Sequence, residues 1–171
     1  MICPFCYEEN IDGADACEHC QEPLDFLTRP QPVSNVERRL LRDNVLSLLQ
    51  RQPVVVEPSE PVGKVLQVLV DRSIGCVVVV DGQDVVGIFS ERDALQRLNV
   101  EATEFADRPI SEFMTPSPET IEADAEIVFA LHKMDVGGYR HLPVLRKGGI
   151  VGVISIRDIL QYITSRLATV D

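Results

Sequence analysis

Four cysteines open the chain in two pairs, Cys3-Pro4-Phe5-Cys6 and Cys17-Glu18-His19-Cys20. Each C-x2-C turn lets two sulfurs meet one ion. Two such turns supply the four corners of a tetrahedron, which suits Zn2+. Four thiolates also hold iron, and in an oxidising compartment they pair as disulfides. Iron sites of this type want a longer spacer and aromatic packing, and the chain has no Trp. The start Met1-Ile2-Cys3-Pro4 does not read as a signal peptide, so reduced thiols and a cytoplasmic setting are expected. Structural zinc is the favoured reading, because four protein ligands leave no open position for catalysis. His19 is then a bystander to the four sulfurs.

The segment resembles a small zinc ribbon, expected over residues 1–23. Such ribbons usually carry Gly just after each pair, where the turn wants a positive φ; here those positions are Tyr7 and Gln21. Residues 1–23 hold six acids and no Lys or Arg, so phosphate is repelled. The ribbon therefore reads as a protein-docking knob or a stabilising appendage. The whole chain, 171 residues with a net charge of -11, likewise disfavours nucleic acid and anionic membrane surfaces. No apolar run reaches membrane-spanning length. The longest, Cys76 to Val80, fits a buried strand, with Cys76 an inert thiol.

A second constellation occurs twice. Ser90-Glu91-Arg92-Asp93 and Ser155-Ile156-Arg157-Asp158 lie in one internal duplication with a gapless offset of 65 residues. Across Gly87–Gln96 and Gly152–Gln161, six of ten residues are identical. S-x-x-D at the start of a helix is a capping box. It also offers an outward carboxylate, a hydroxyl and a helix N-terminus to a ligand. Only the second unit adds cations beside it: Arg140-His141 align with Gly75-Cys76.

The elements that must position these residues repeat too. Each unit predicts a strand (54–57; 119–122), a helix (60–71; 125–136) capped by Ser59 or Asp124, two strands (76–81 and 85–89; 141–145 and 150–154), and a closing helix. Ser34-Asn35-Val36-Glu37 reads as a capping box opening a further helix to about Gln50. The predicted division is 1–23 ribbon, 24–39 linker and helix start, 40–104 first repeat and 105–171 second repeat.

This β-α-β-β-α unit, ending in Gly-x-Ile/Phe-Ser-x-x-Asp and carrying Tyr139-Arg140-His141-Leu142-Pro143-Val144, resembles the CBS domain, named after cystathionine β-synthase. The resemblance implies an α/β (α+β) fold, with two repeats in one pseudo-twofold module that pairs as a homodimer. It implies a sensor without chemistry of its own, whose cleft takes AMP, ADP, ATP or S-adenosylmethionine. The expected contacts are Asp158 to the ribose, with Ser155, Arg140 and His141 near phosphate and Tyr139 and Pro143 alongside. Ser90 and Asp93 form the counterpart in the first unit, where Val78 replaces the proline. Two other readings stand: a ligand-free interaction scaffold, and an iron-bearing electron carrier. An enzyme is not expected, since no nucleophile–base pair, open metal position or phosphate-cradling glycine loop is present in the sequence.

Overall fold

The computed structural model describes all residues except 4, 7, 25–34, 100, 101 and 168–171. The sequence capping box at 34–37 therefore lies outside the described side chains. The ribbon consists of two knuckles built alike: Cys3 N donates to Glu8 O, and Cys17 N to Glu22 O, both at 2.8 Å. Gln21 does adopt the positive φ the second knuckle requires, at 62°.

After α1 (Asn35–Leu40) come β1 (Val55–Val56), α2 (Val62–Arg72), β2 (Cys76–Asp81), β3 (Asp84–Ser90) and α3 (Glu91–Asp93). A π turn, Ala94–Leu98, continues α3. The second unit has β4 (Thr115–Pro116), β5 (Ile121–Glu122), α4 (Ile127–Gly137), β6 (His141–Arg146), β7 (Gly149–Ser155) and α5 (Ile156–Leu167). One sheet runs β1-β2-β3-β4 and the other β5-β6-β7. The duplication persists into fine detail. Both central hairpins shift register at the same place, between Val79/Val80 and between Val144/Leu145. Helices α2 and α4 both end on a left-handed residue, Ser73 and Gly138.

The expected helix from 34 to about 50 does not run through. It ends at Leu40, and Asn44 is extended. The backbone there is claimed by the second unit: Val45 N donates to Ala125 O at 2.8 Å and Leu46 N to Ala123 O at 2.9 Å. Ser59 and Asp124 are not the caps of α2 and α4 either, which begin after Pro61 and Glu126 with no side-chain cap. Carbonyls of the opposite unit's entry segment serve instead. Val62 N donates to Arg108 O at 2.8 Å, and Ile127 N to Asp43 O at 3.0 Å.

The two units thus exchange their entry segments. Val45 and Leu48, which precede β1, are buried in the core of the second unit with Ile121, Ile127, Leu142, Val144, Ile154 and Ile159. Ile110 and Phe113, which precede β5, are buried in the core of the first unit with Val62, Val65, Val77, Val79 and Phe89. Leu48→Ala should cost about 2–5 kcal/mol, the usual penalty for truncating a buried leucine. Hydrogen exchange should show the loss of protection in β5, β6 and β7, not in the β1–β3 sheet that follows Leu48 in sequence. Loss confined to β1–β3 would contradict the exchange.

Candidate functional site

In the ribbon the four sulfurs converge. Cys3 and Cys20 Sγ are 3.6 Å apart, Cys6 and Cys17 Sγ are 3.5 Å apart, and all four lie within 4.8 Å of one another. A tetrahedron with metal–sulfur bonds of about 2.3 Å has edges of about 3.8 Å, so the set fits one four-coordinate ion. His19 is exposed, outside this group. The sequence reading missed Asn10. It is buried, its amide donates to Cys17 Sγ at 3.4 Å and to Glu8 O at 2.9 Å, and its oxygen accepts Glu18 N at 2.9 Å. Burial pushes the Cys20 thiol up to about 12. Burial also pushes Cys17 up, but the N–H groups of Cys20 and His19 and the Asn10 amide outweigh it and bring Cys17 down to about 6. A thiolate is thus already favoured at one corner.

The second constellation assembles where the two units meet. Ser155 closes β7 opposite His141 on β6, and Ile156 N donates to Arg140 O at 3.0 Å. In the first unit Ser90 lies opposite Cys76, and Glu91 N donates to Gly75 O at 3.0 Å. Across the junction, a Cβ on Gly75 would come within 2.7 Å of His141 Nε2. Glycine at 75 is what lets the imidazole lie against the neighbouring strand.

Both S-x-x-D motifs form reciprocal capping boxes. Ser155 N and Oγ donate to Asp158 Oδ2 at 2.7 and 2.6 Å. Ser90 N and Oγ donate to Asp93 Oδ2 at 2.9 and 2.6 Å. Asp93 Oδ1 is also engaged, by Thr115 Oγ1 at 3.0 Å and by Arg97 Nη2 at 3.5 Å. Among the described residues no hydrogen bond reaches Asp158 Oδ1. Arg140 is exposed and without an ion pair among the described residues. Tyr139 is partly exposed beside it and packs over Gly137. Pro143 is buried in β6, opposite Val153.

The junction is electrically mixed. Burial pushes the Cys76 thiol up to about 12, helped by Asp93, Glu91 and Asp158, so it is protonated and inert at neutral pH. Burial lowers the pKa of His141, and Arg140 and Arg157 lower it further against the pull of Glu91 and Asp158. His141 is therefore a neutral hydrogen-bonding group at neutral pH, and Arg140 is the fixed positive charge.

The CBS-domain model matches residues 32–100 and 110–165, well over half of the chain. The chain belongs to the CBS-domain family. An uncharacterised 17.7 kDa protein of Acidianus ambivalens is 33% identical over 109 residues, covering 63% of this chain and 65% of that one. A CBS-domain protein of Agrobacterium tumefaciens is 30% identical with a TM-score of 0.64, covering 70% of this chain and 98% of its own. A CBS-domain protein of Pyrobaculum aerophilum, solved in complex with AMP, is 28% identical with a TM-score of 0.61, covering 71% and 98%. The chain spans less than two thirds of the Acidianus protein and a quarter or less of three Arabidopsis thaliana CBS-domain proteins. The family match begins after the cysteine pairs. Among the described residues no helix is long and apolar enough to cross a membrane.

The lowered pKa of His141 predicts that acid costs the fold stability. Its folded pKa lies below the ordinary value of 6.5, so the unfolded chain takes up a proton first. Its contribution to stability is complete above about pH 6.5 and is lost as pH falls through the lowered folded value. His141→Asn should flatten the fall in denaturation midpoint between about pH 7 and 5 relative to the parent. Parallel pH profiles for the two proteins would show that His141 is not the group responsible.

Proposed function

We propose that this CBS pair is a regulatory module that binds an adenine nucleotide at its inter-unit junction and carries one structural Zn2+ on Cys3, Cys6, Cys17 and Cys20. The observation that carries the nucleotide reading is Asp158. One of its oxygens holds the helix cap, while the other accepts nothing from the described residues and is free for a ribose diol. Nearby, Arg140, without an ion pair among the described residues, offers its guanidinium for phosphate, with Ser155 and neutral His141 as further donors. Tyr139 supplies an aromatic edge next to these groups, and buried Pro143 helps hold β6 in place. The AMP complex of the Pyrobaculum relative supports the ligand class. Arg140 favours a phosphate-bearing nucleotide over S-adenosylmethionine.

The module acts by changing shape or assembly, not by catalysis. Exposed Val70 and Val136 near the ends of α2 and α4, and Leu95 and Leu160 at matching positions of the closing helices, provide apolar surface for a homodimer. The acidic ribbon is a docking knob for a protein partner. Four clustered free thiols suit a reducing, cytoplasmic setting.

Calorimetry with AMP and adenosine tests the nucleotide site. Asp158→Ala should weaken both ligands. Arg140→Ala should weaken AMP about ten- to a hundredfold and leave adenosine nearly unchanged, because a charge-assisted phosphate bond is the interaction removed. Absence of AMP binding by the parent at millimolar ligand would leave the scaffold reading in its place.

Metal analysis of protein purified without added metal should find about one zinc per chain. Asn10→Leu should lower zinc affinity about 10–100-fold, the usual effect of removing a hydrogen bond to a metal ligand. A red protein with iron as its main metal would instead favour the electron-carrier reading.

A further inference from the structure

We propose that the metal state of the ribbon is read by the second unit: Phe5, set in place by the first cysteine knuckle, closes on His132 of α4, so that holding an ion and covering this face of α4 are one linked event. The inference rests on the zinc reading above and extends it, from a structural ion to a metal-responsive clasp. Phe5 touches both parts of the chain. Its backbone N–H donates to Cys3 Sγ at 3.4 Å, and its side chain packs against the ribbon core of Cys3, Cys17 and Leu24. The same ring stands 5.0 Å from the His132 ring, inclined at 57°, within the range of favourable aromatic pairs.

The 65-residue offset shows that α4 is covered at this place where α2 is open. Phe129, His132 and Lys133 align with Lys64, Gln67 and Val68. Lys64 and Gln67 are exposed, and the Gln67 amide donates to Asp71 of the same helix at 2.7 Å. Phe129 and His132 are half-buried. Lys133 is buried, with its ammonium on Glu119 Oε2 at 2.8 Å and on Thr120 O at 3.2 Å. Polar residues such as those of α2 suit a solvated helix face. Two rings three residues apart on α4 form a neighbouring pair on its surface, and over His132 the first knuckle supplies the cover.

The ribbon is asymmetric in the same sense. Its knuckles repeat at an offset of 14 residues, with Cys3, Cys6 and Glu8 over Cys17, Cys20 and Glu22. Phe5 falls over His19, which is exposed. The first knuckle thus carries the docking ring, and the second keeps a polar tip in solvent. Four ligands from two knuckles meet only when the knuckles are folded against each other. An ion that favours the closed cluster therefore favours the position from which Phe5 reaches α4. Linkage makes the effect mutual: the α4 contact strengthens ion binding by the same factor by which the ion strengthens the contact. His132, far from the cysteines in sequence, then contributes to metal affinity as a positioning residue without being a ligand.

The test is a zinc titration of the full chain in reducing buffer against a competing chelator, with hydrogen exchange followed in the zinc-loaded and the stripped protein. His132→Gln installs the residue that α2 carries at this place. It should lower zinc affinity about two- to tenfold, the effect of losing one aromatic pair. His132→Phe keeps a ring and should stay within about twofold of the parent. Stripping zinc from the parent should speed exchange at residues 129–136 of α4 and leave α2 unchanged. Parental zinc affinity in a folded His132→Gln chain, or an equal loss in His132→Gln and His132→Phe, would overturn the proposal. Exchange in α4 of the parent that ignores zinc would overturn it too, and that measurement decides should His132→Gln fail to fold. A parent that binds no zinc would instead remove the metal reading itself.

Discussion

The first N–H groups of α2 and α4 are the points on which this architecture turns. A helix start leaves backbone donors without partners, and neither helix supplies a capping side chain. Val62 N finds Arg108 O, and Ile127 N finds Asp43 O. Each carbonyl lies on the segment that leads into the other unit. The bonds are modest one by one, about 0.5–1.5 kcal/mol each. Their value lies in what they oblige the chain to do. To cap its helices, each unit must accept the other's entry segment, and the apolar residues on that segment then complete its core. Met114 lies against Gly87 and Leu49 against Gly152, contacts so close that a Cβ at either glycine would overlap the side chain. Neither unit is a finished domain alone.

The same exchange makes the two S-x-x-D motifs unequal. It delivers the Thr115 hydroxyl to Asp93 Oδ1, whereas no hydrogen bond from the described residues reaches Asp158 Oδ1. A fold symmetric in its backbone thus becomes asymmetric through side chains at a few positions. The junction itself is kept compact by Gly75, which lets the His141 ring approach, and by the burial that keeps that ring uncharged. Placing a second fixed positive charge there would require desolvating it, whereas Arg140 keeps its charge at the exposed edge.

Much of this was legible in the sequence, because the strongest signals were local or periodic. The gapless duplication predicted two like units, and the strands at 76–81 and 141–146 stand where their β-branched and apolar runs put them. The doubled C-x2-C brought its four sulfurs together because each knuckle is set by near neighbours. The failures share one cause. Ser59 and Asp124 looked like caps, and residues 41–50 looked continuous with the helix before them, because propensity was read along the chain while the deciding hydrogen bonds came from the other unit. Asn10 carried no signal beyond being an asparagine. Arg97 and Thr115 could have been noticed by asking, at each offset pair, which residues the second unit lacked.

The ribbon obeys a different economy from the CBS units. Its fully buried described side chains are Cys3, Cys17 and Leu24, with Met1, Phe5, Cys6, Ala14 and Cys20 packed around them. Two of those three buried groups are thiols of the cluster itself, so there is too little hydrocarbon to hold the knuckles by burial alone. Four sulfurs at contact distance repel one another once they ionise, and they give little cohesion while protonated. A cation at their centre would reverse that balance, turning the cluster from the weakest part of the ribbon into its core. Phe5, inside the first knuckle, rests its ring 5.0 Å from that of His132 on α4. The position of that ring depends on the fold of the knuckle that carries it. A cation held by the four sulfurs would therefore also bear on whether the ribbon presents a defined face to the second unit.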